Sequence, residues 1–138
     1  MENSAFFEKE MMVSDGTPVR LVYDREADIL EVFFGKNEPA TGVELTDHIL
    51  LRLNLETRRP ISLSLLHFSI LTEQTEFGPR SYALDKIAEA PEDLRDLTLQ
   101  LLTTEPLRQF LTVTHFQASP TKQIPITFVA SQPSLTAA

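Results

Sequence analysis

Apolar and polar residues alternate with a period of two over much of the first half of the chain, and that alternation predicts strands. In Val19 to Tyr23, Leu21 and Tyr23 point one way while Arg20 and Val22 point the other. Ile29 to Phe34 repeats the pattern: Leu30, Val32 and Phe34 share a face opposite Ile29, Glu31 and Phe33. Val43 to Leu45 is a short third strand. In the fourth, Ile49, Leu51, Leu53 and Leu55 alternate with Leu50, Arg52 and Asn54. Ile61 to Phe68 is the fifth, with Ile61, Leu63, Leu65 and His67 on one side. Asp, Gly, Pro, Thr and Asn punctuate these runs at 24–28, 35–42, 46–48 and 56–60, as turns require. The expectation is an antiparallel meander of about five strands over 19–69, apolar on one face. The other face is mixed. Ile29, Phe33, Leu50, Leu66 and Phe68 are too many apolar residues for a solvated surface, so the C-terminal helix, another subunit or both should cover part of it.

The period changes after Ile70. Leu71 to Arg80 reads as a polar connection and Tyr82 to Ala90 as a short helix. Ala90-Pro91-Glu92-Asp93 is a helix start, because proline suits the first turn and acids there complement the dipole. Leu94, Leu97, Leu101 and Leu102 then recur at helical spacing up to the break at Pro106. Beyond Thr112 the chain reads as extended, and Ile124, Ile126 and Phe128 alternate around Pro125, which predicts an edge strand. The fold class expected is α+β: a sheet, a helical segment packed on it (71–111) and a C-terminal extended part (112–130). These form one domain over 17–130, between a flexible arm at 1–16 and a disordered tail at 131–138. Phe6, Phe7, Met11, Met12 and Val13 leave the arm open to a helical turn, a docked segment or a mobile end.

Charge narrows the partners. The 138 residues carry a formal net charge of -8, which disfavours nucleic acid and anionic membranes and favours basic partners. Hydrophobic residues make up 42 %, enough for a single core. There is no cysteine, so neither disulfides nor thiolate metal sites enter. The first ten residues lack a basic start and a long apolar run, so no signal peptide is expected, and no stretch is long enough to span a bilayer. A cytoplasmic location follows as the expectation.

The residues Val22-Tyr23-Asp24, Asp28-Ile29-Leu30, Gly42-Val43-Glu44 and the paired strands at 49–55 and 61–67 resemble a small bacterial family, domain-of-unknown-function family 2283. Its pattern is Tyr-Asp, three residues, Asp, one residue, Leu, met here by Tyr23, Asp24, Asp28 and Leu30. The resemblance covers about 19–69. It departs at Glu56-Thr57-Arg58-Arg59-Pro60, where the family has a glycine-containing acidic hairpin, and from Leu71 onward. It implies a sheet fold and no established activity. Some members look like the neutralising half of two-gene toxin systems.

Candidate chemistry is sparse. Asp24, Asp28, Glu31 and Asp47 could converge on a hard cation, but their spacing is that of no known calcium loop and aspartates at strand ends serve turns. His48, His67 and His115 are the only histidines. His67 and His115 each precede phenylalanine and could meet if their strands paired, with no carboxylate placed to orient them. Arg58-Arg59 reads as a solvated hairpin tip. There is no nucleophile elbow and no phosphate loop. No catalytic, metal or cofactor residue is assigned, and the chain is expected not to be an enzyme. The function expected is an interaction or assembly module, a homodimer pairing through sheet face or edge strand, with Ile124, Ile126, Phe128, Phe33 and Leu66 as interface candidates. The alternative is an antitoxin-like acidic binder of a small basic protein.

Overall fold

The computed structural model describes residues 6–76 and 78–132. Six antiparallel strands form the main sheet: β1 (Phe6–Met12), β2 (Pro18–Asp24), β3 (Ile29–Phe34), β4 (Thr41–Thr46), β5 (Ile49–Asn54) and β6 (Arg59–Leu66). A one-turn helix α1 (Phe68–Leu71) follows, then the two-residue strands β7 (Gln74–Thr75), β8 (Gly78–Pro79) and β9 (Tyr82–Ala83). Helix α2 (Glu92–Leu102) lies between 3-10 turns at Ile87–Glu89 and Leu107–Gln109, and β10 (Leu111–Ser119) and β11 (Lys122–Val129) close the described chain. The fold class is α+β with an antiparallel sheet, as the alternation implies.

The strand order is β1-β2-β3-β6-β5-β4, not that of a sequential meander. After β3 the chain crosses the end of the sheet, and β4 occupies the far edge. Gly35 begins the crossing at φ +64, a conformation that calls for glycine, and a Cβ there would stand 2.8 Å from Arg59 Nη2 and push that guanidinium aside. Glu38 anchors it, accepting hydrogen bonds from Asn54 Nδ2 at 2.8 Å and from Arg59. These partners flank the β5–β6 turn, so Arg59 is the cation that holds the crossing.

Of the arm expected to be flexible at 1–16, residues 1–5 lie outside the described residues, and Phe6–Met12 is part of the sheet. β1 pairs with β2 from Phe6 opposite Asp24 to Met12 opposite Pro18, because alternation in Phe7, Lys9 and Met11 matches the core face of β2. Two further sequence assignments shift in the β5–β6 hairpin. β5 ends at Asn54, and Leu55 is exposed in the turn. A bulge between Arg52 and Leu53 pairs Leu53 with Pro60, which displaces Ile61 from the face of Leu63 and Leu65. Ile61 is buried but stands apart from the main core. β6 then ends at Leu66, and His67 turns out of the ladder at φ 57.

The core forms on the apolar face. One row across the sheet joins Leu21, Val32, Leu63, Leu51 and Val43, none more than 4 % exposed. Each such side chain stabilises the fold by roughly 1.5–3 kcal/mol. Leu94, Leu97, Leu101 and Leu102 of α2 belong to the same cluster, with Leu84, Ile87, Leu107, Phe110, Leu111 and Val129. Pro91 caps α2, and Glu92 and Asp93 occupy its first turn. The helix therefore covers the apolar face and not the mixed one. The apolar face dominates because every second strand residue there lacks polar atoms, so it gains most from leaving water.

Tyr82 and Ala83 form β9, not the start of a helix, and only Ile87–Glu89 is helical before α2. β11 is not an edge strand. It runs in the middle of a small sheet, between β10 along its full length and β9 at Ile126 and Thr127. The Pro125 carbonyl accepts a bond from Leu84 N at 2.9 Å, so the missing N–H also faces the short β9 side and the ladder to β10 is kept. Of the tail expected at 131–138, residues 133–138 lie outside the described residues.

Candidate interaction surfaces

The Tyr23…Leu30 motif is a structural node. Asp24 Oδ1 accepts from the backbone N–H groups of Glu26 and Ala27, tightening the β2–β3 turn. Asp28 closes that turn in the left-handed region, φ 59, where aspartate is among the tolerated residues. Its carboxylate receives the Tyr23 hydroxyl at 2.7 Å, the Ser69 amide at 3.0 Å and the Ser69 hydroxyl at 2.7 Å. Its carbonyl accepts from Phe68 N, whose ring meets Tyr23 edge to face. Leu30 is fully buried in the core. One carboxylate thus ties the first hairpin to the start of α1.

Electrostatics follow from these contacts. Burial by itself raises the Asp28 pKa, but the Ser69 and Tyr23 hydrogen bonds and nearby His67 outweigh it and hold the carboxyl below its ordinary value. Burial and the bond to Asp28 push the Tyr23 hydroxyl up to about 12. Because the folded pKa of Asp28 is depressed, its stabilising contribution is complete above the unfolded value near 3.8 and is lost as pH falls through the folded value. Asp28→Asn keeps the turn geometry but removes the charge. We expect it to cost about 1–2 kcal/mol at neutral pH and to flatten the acid limb of stability. Urea titrations between neutral pH and acid check this; parallel curves for both proteins would rule it out.

The other carboxylates are engaged separately. Glu31 accepts from the Ser64 hydroxyl, and Asp47 pairs with Lys86 at 3.2 Å. Among the described residues no group of three or more His, Asp or Glu is placed to hold a metal ion. His67 meets His48, not His115: their rings stand 5.1 Å apart, because Leu66 N bonds His48 O where β6 runs beside β5. His115 lies on β10, in the other sheet. Arg59 is half-buried and pairs with Glu38, while Arg58 is exposed in the turn and donates to Gln100 Oε1 at 2.9 Å.

The mixed face of the main sheet carries the largest patterned surface. Val22, Ile29, Phe33, Leu50 and Leu66 are all partly exposed on it, and Met12 at its rim is 69 % exposed. Three rows cross it. The first runs Phe6, Asp24, Ile29, Leu66. The second runs Glu8, Val22, Glu31, Ser64, Leu50, Glu44, and the third Glu10, Arg20, Phe33, Ser62, Arg52, Gly42. Arg20 lies over the Phe33 ring at 4.6 Å. The charges are therefore partly sorted: Glu8, Glu31 and Glu44 lie in one row, and both arginines lie in the next with Glu10 at its β1 end. The alternation shows the mixed composition of this face, but the sorting depends on register across six strands.

Phe33 and Leu66 lie on this face, while Ile124, Ile126 and Phe128 lie on another. They are partly exposed on one side of β11, joined across the hairpin by Phe116 opposite Ile124. The two sets of interface candidates are thus two surfaces. Among the described residues no helix is long and apolar enough to cross a membrane. Compared with protein-family models, curated proteins and solved structures, the chain matches none.

Proposed function

We propose that this chain is a non-enzymatic assembly module of the cytoplasm that pairs with a second copy of itself through the mixed face of the main sheet. The observation that carries this reading is the sorting of charge on a half-apolar face. A two-fold axis lying in the interface, parallel to the rows and between the second and third, sets each row against the other row of the second copy. Arg20 then meets Val22 between Glu8 and Glu31, and Arg52 meets Leu50 beside Glu44. Each arginine thus lies beside glutamates of the second copy, with its stem over an apolar residue, Phe33 lies over Glu31, and Glu8 faces Glu10 at the β1 end. The face spans about 25 by 20 Å from strand spacing and rise, a flat footprint of about 500 Å², below the ~800 Å² per partner of a standard interface.

Light scattering after size-exclusion chromatography tests the reading. The wild type is expected at a multiple of 15.6 kDa, and Phe33→Asp with Leu66→Asp at a lower multiple with an unchanged circular dichroism spectrum. A wild-type monomer at all concentrations removes self-association altogether.

Charge also supports a second reading, an antitoxin-like binder of a small basic protein, in line with the family resemblance. Acids outnumber Lys and Arg by 20 to 12, and the same face presents Glu8, Glu10, Glu31 and Glu44. A small basic protein in the native peak, released by salt, would favour it over self-pairing.

A further inference from the structure

Natural sheets protect their edges with charge, proline, bulges, shortness or cover, since an open edge offers a ladder of unpaired backbone groups. The described edges of this protein follow that rule with one exception. β1 carries Glu8, Lys9 and Glu10. β4 has Glu44 and a bulge beside it, and Lys86 N bonds Leu45 O across it at 3.3 Å. β7, β8 and β9 are two residues each. β10 is nine residues long, Leu-Thr-Val-Thr-His-Phe-Gln-Ala-Ser, with no Lys, Arg, Asp, Glu or Pro. Its only irregularity is at the far end, between Gln117 and Ser119. Every residue from Thr114 to Gln123 is exposed, and Phe116 is 57 % exposed.

We infer that β10 pairs antiparallel, across a two-fold axis, with β10 of a second copy, making one continuous sheet from the two hairpins. The occupant is a second copy because an edge with none of those charged residues meets itself without like-charge repulsion, whereas the β1 and β4 edges present glutamates to any strand that joins them. The long-range field points the same way. From Pro106 onward the chain has Arg108 and Lys122 and no acid, so contact through the hairpins lets the acidic main sheets stay apart. Phe116, beside Ile124 on the hairpin, then packs against the corresponding ridge of the second copy. This surface is independent of the mixed face of the main sheet, and either contact can fail without the other.

The absence of native cysteine permits a clean test. Single cysteines are introduced by Thr114→Cys, His115→Cys, Phe116→Cys and Gln117→Cys in a chain that also carries Arg20→Glu and Arg52→Glu, which removes the face contact. In an antiparallel pair, residues near the two-fold have Cα atoms about 4.5–5.5 Å apart, within disulfide reach. Mild oxidation is expected to give a covalent dimer from one or two adjacent positions, at least tenfold faster than from Thr41→Cys on β4. The β10 amides are expected to be protected from hydrogen exchange at high concentration, and dilution or Phe116→Lys should remove that protection. Equal, slow cross-linking at all five positions would overturn the inference. So would β10 protection without cross-linking, since that means pairing with a different edge. Loss of wild-type dimer in the Arg20→Glu, Arg52→Glu chain with cross-linking retained would leave both contacts standing. An unchanged dimer with cross-linking would remove the face contact alone.

Discussion

Arg20→Glu together with Arg52→Glu is expected to abolish pairing through the mixed face, and Glu8→Arg together with Glu44→Arg to abolish it equally. Mixed one to one, the two variants are expected to recover a heterodimer. The reasoning is geometric. In the wild type, the arginine row of one copy meets the glutamate row of the other twice, related by the two-fold. Reversing the arginines sets acid against acid at both places, and reversing the glutamates sets base against base. In the mixture the reversed arginine positions lie beside the reversed glutamate positions, and the unchanged arginines beside unchanged glutamates, while Glu8 of the arginine variant still faces Glu10 as in the wild type. Like charges brought together in an interface cost several kcal/mol, and each ~1.4 kcal/mol is tenfold in affinity, so loss and recovery should both be large. Arg20 and Glu8 are already 3.9 Å apart within one chain and largely exposed, so the substitutions disturb little of the monomer. Light scattering of each variant and of the mixture measures the outcome. Variants that alone keep the wild-type mass would place the contact elsewhere; a mixture that gains no mass over either variant alone would reject the opposed-row register.

Phe110→Ala is expected to lower stability by about 3–5 kcal/mol, the range for emptying a buried aromatic site. Phe110 is 2 % exposed and sets its ring edge to face on Phe34, centroids 5.9 Å apart. Phe34 belongs to the main sheet, and Phe110 precedes β10, with its carbonyl accepting from Ala130 N at 2.9 Å. The pair therefore joins the two sheets. For a domain of this size, total stability is on the order of 10 kcal/mol, so the loss is a large fraction. Urea denaturation gives the magnitude. Hydrogen exchange adds direction: amides of β10 and β11 should lose protection before those of β3 and β6. A change under about 1 kcal/mol, in the range of surface substitutions, would mean that the C-terminal hairpin is held by other contacts.

Ile124, Ile126 and Phe128 do alternate as a strand, and Pro125 does lie in it, but proline alone does not make an edge. Its missing donor matters only on one side of the strand, and its carbonyl still bonds Leu84. The histidines show the same limit. His67 and His115 share the context of a following phenylalanine, yet strand pairing sets His67 beside His48. The Arg58-Arg59 pair, read as solvated, holds the crossing and touches α2.

Local pattern determined a good deal. Period-two alternation in β2, β3, β5 and β6, the proline and acids at the start of α2, and the leucines at 94, 97, 101 and 102 are all readable because each depends on neighbours within a few residues. The Tyr23…Leu30 motif was legible as a turn for the same reason. What only the tertiary structure decided involves partners distant along the chain: β4 at the far edge, β1 in the sheet, Ser69 on Asp28, and the sorting of arginines and glutamates into adjacent rows. Register across six strands sets those rows. A shift of one residue in any strand would send its charges to the other face, and nothing within a single strand specifies which residue of a distant strand will lie opposite.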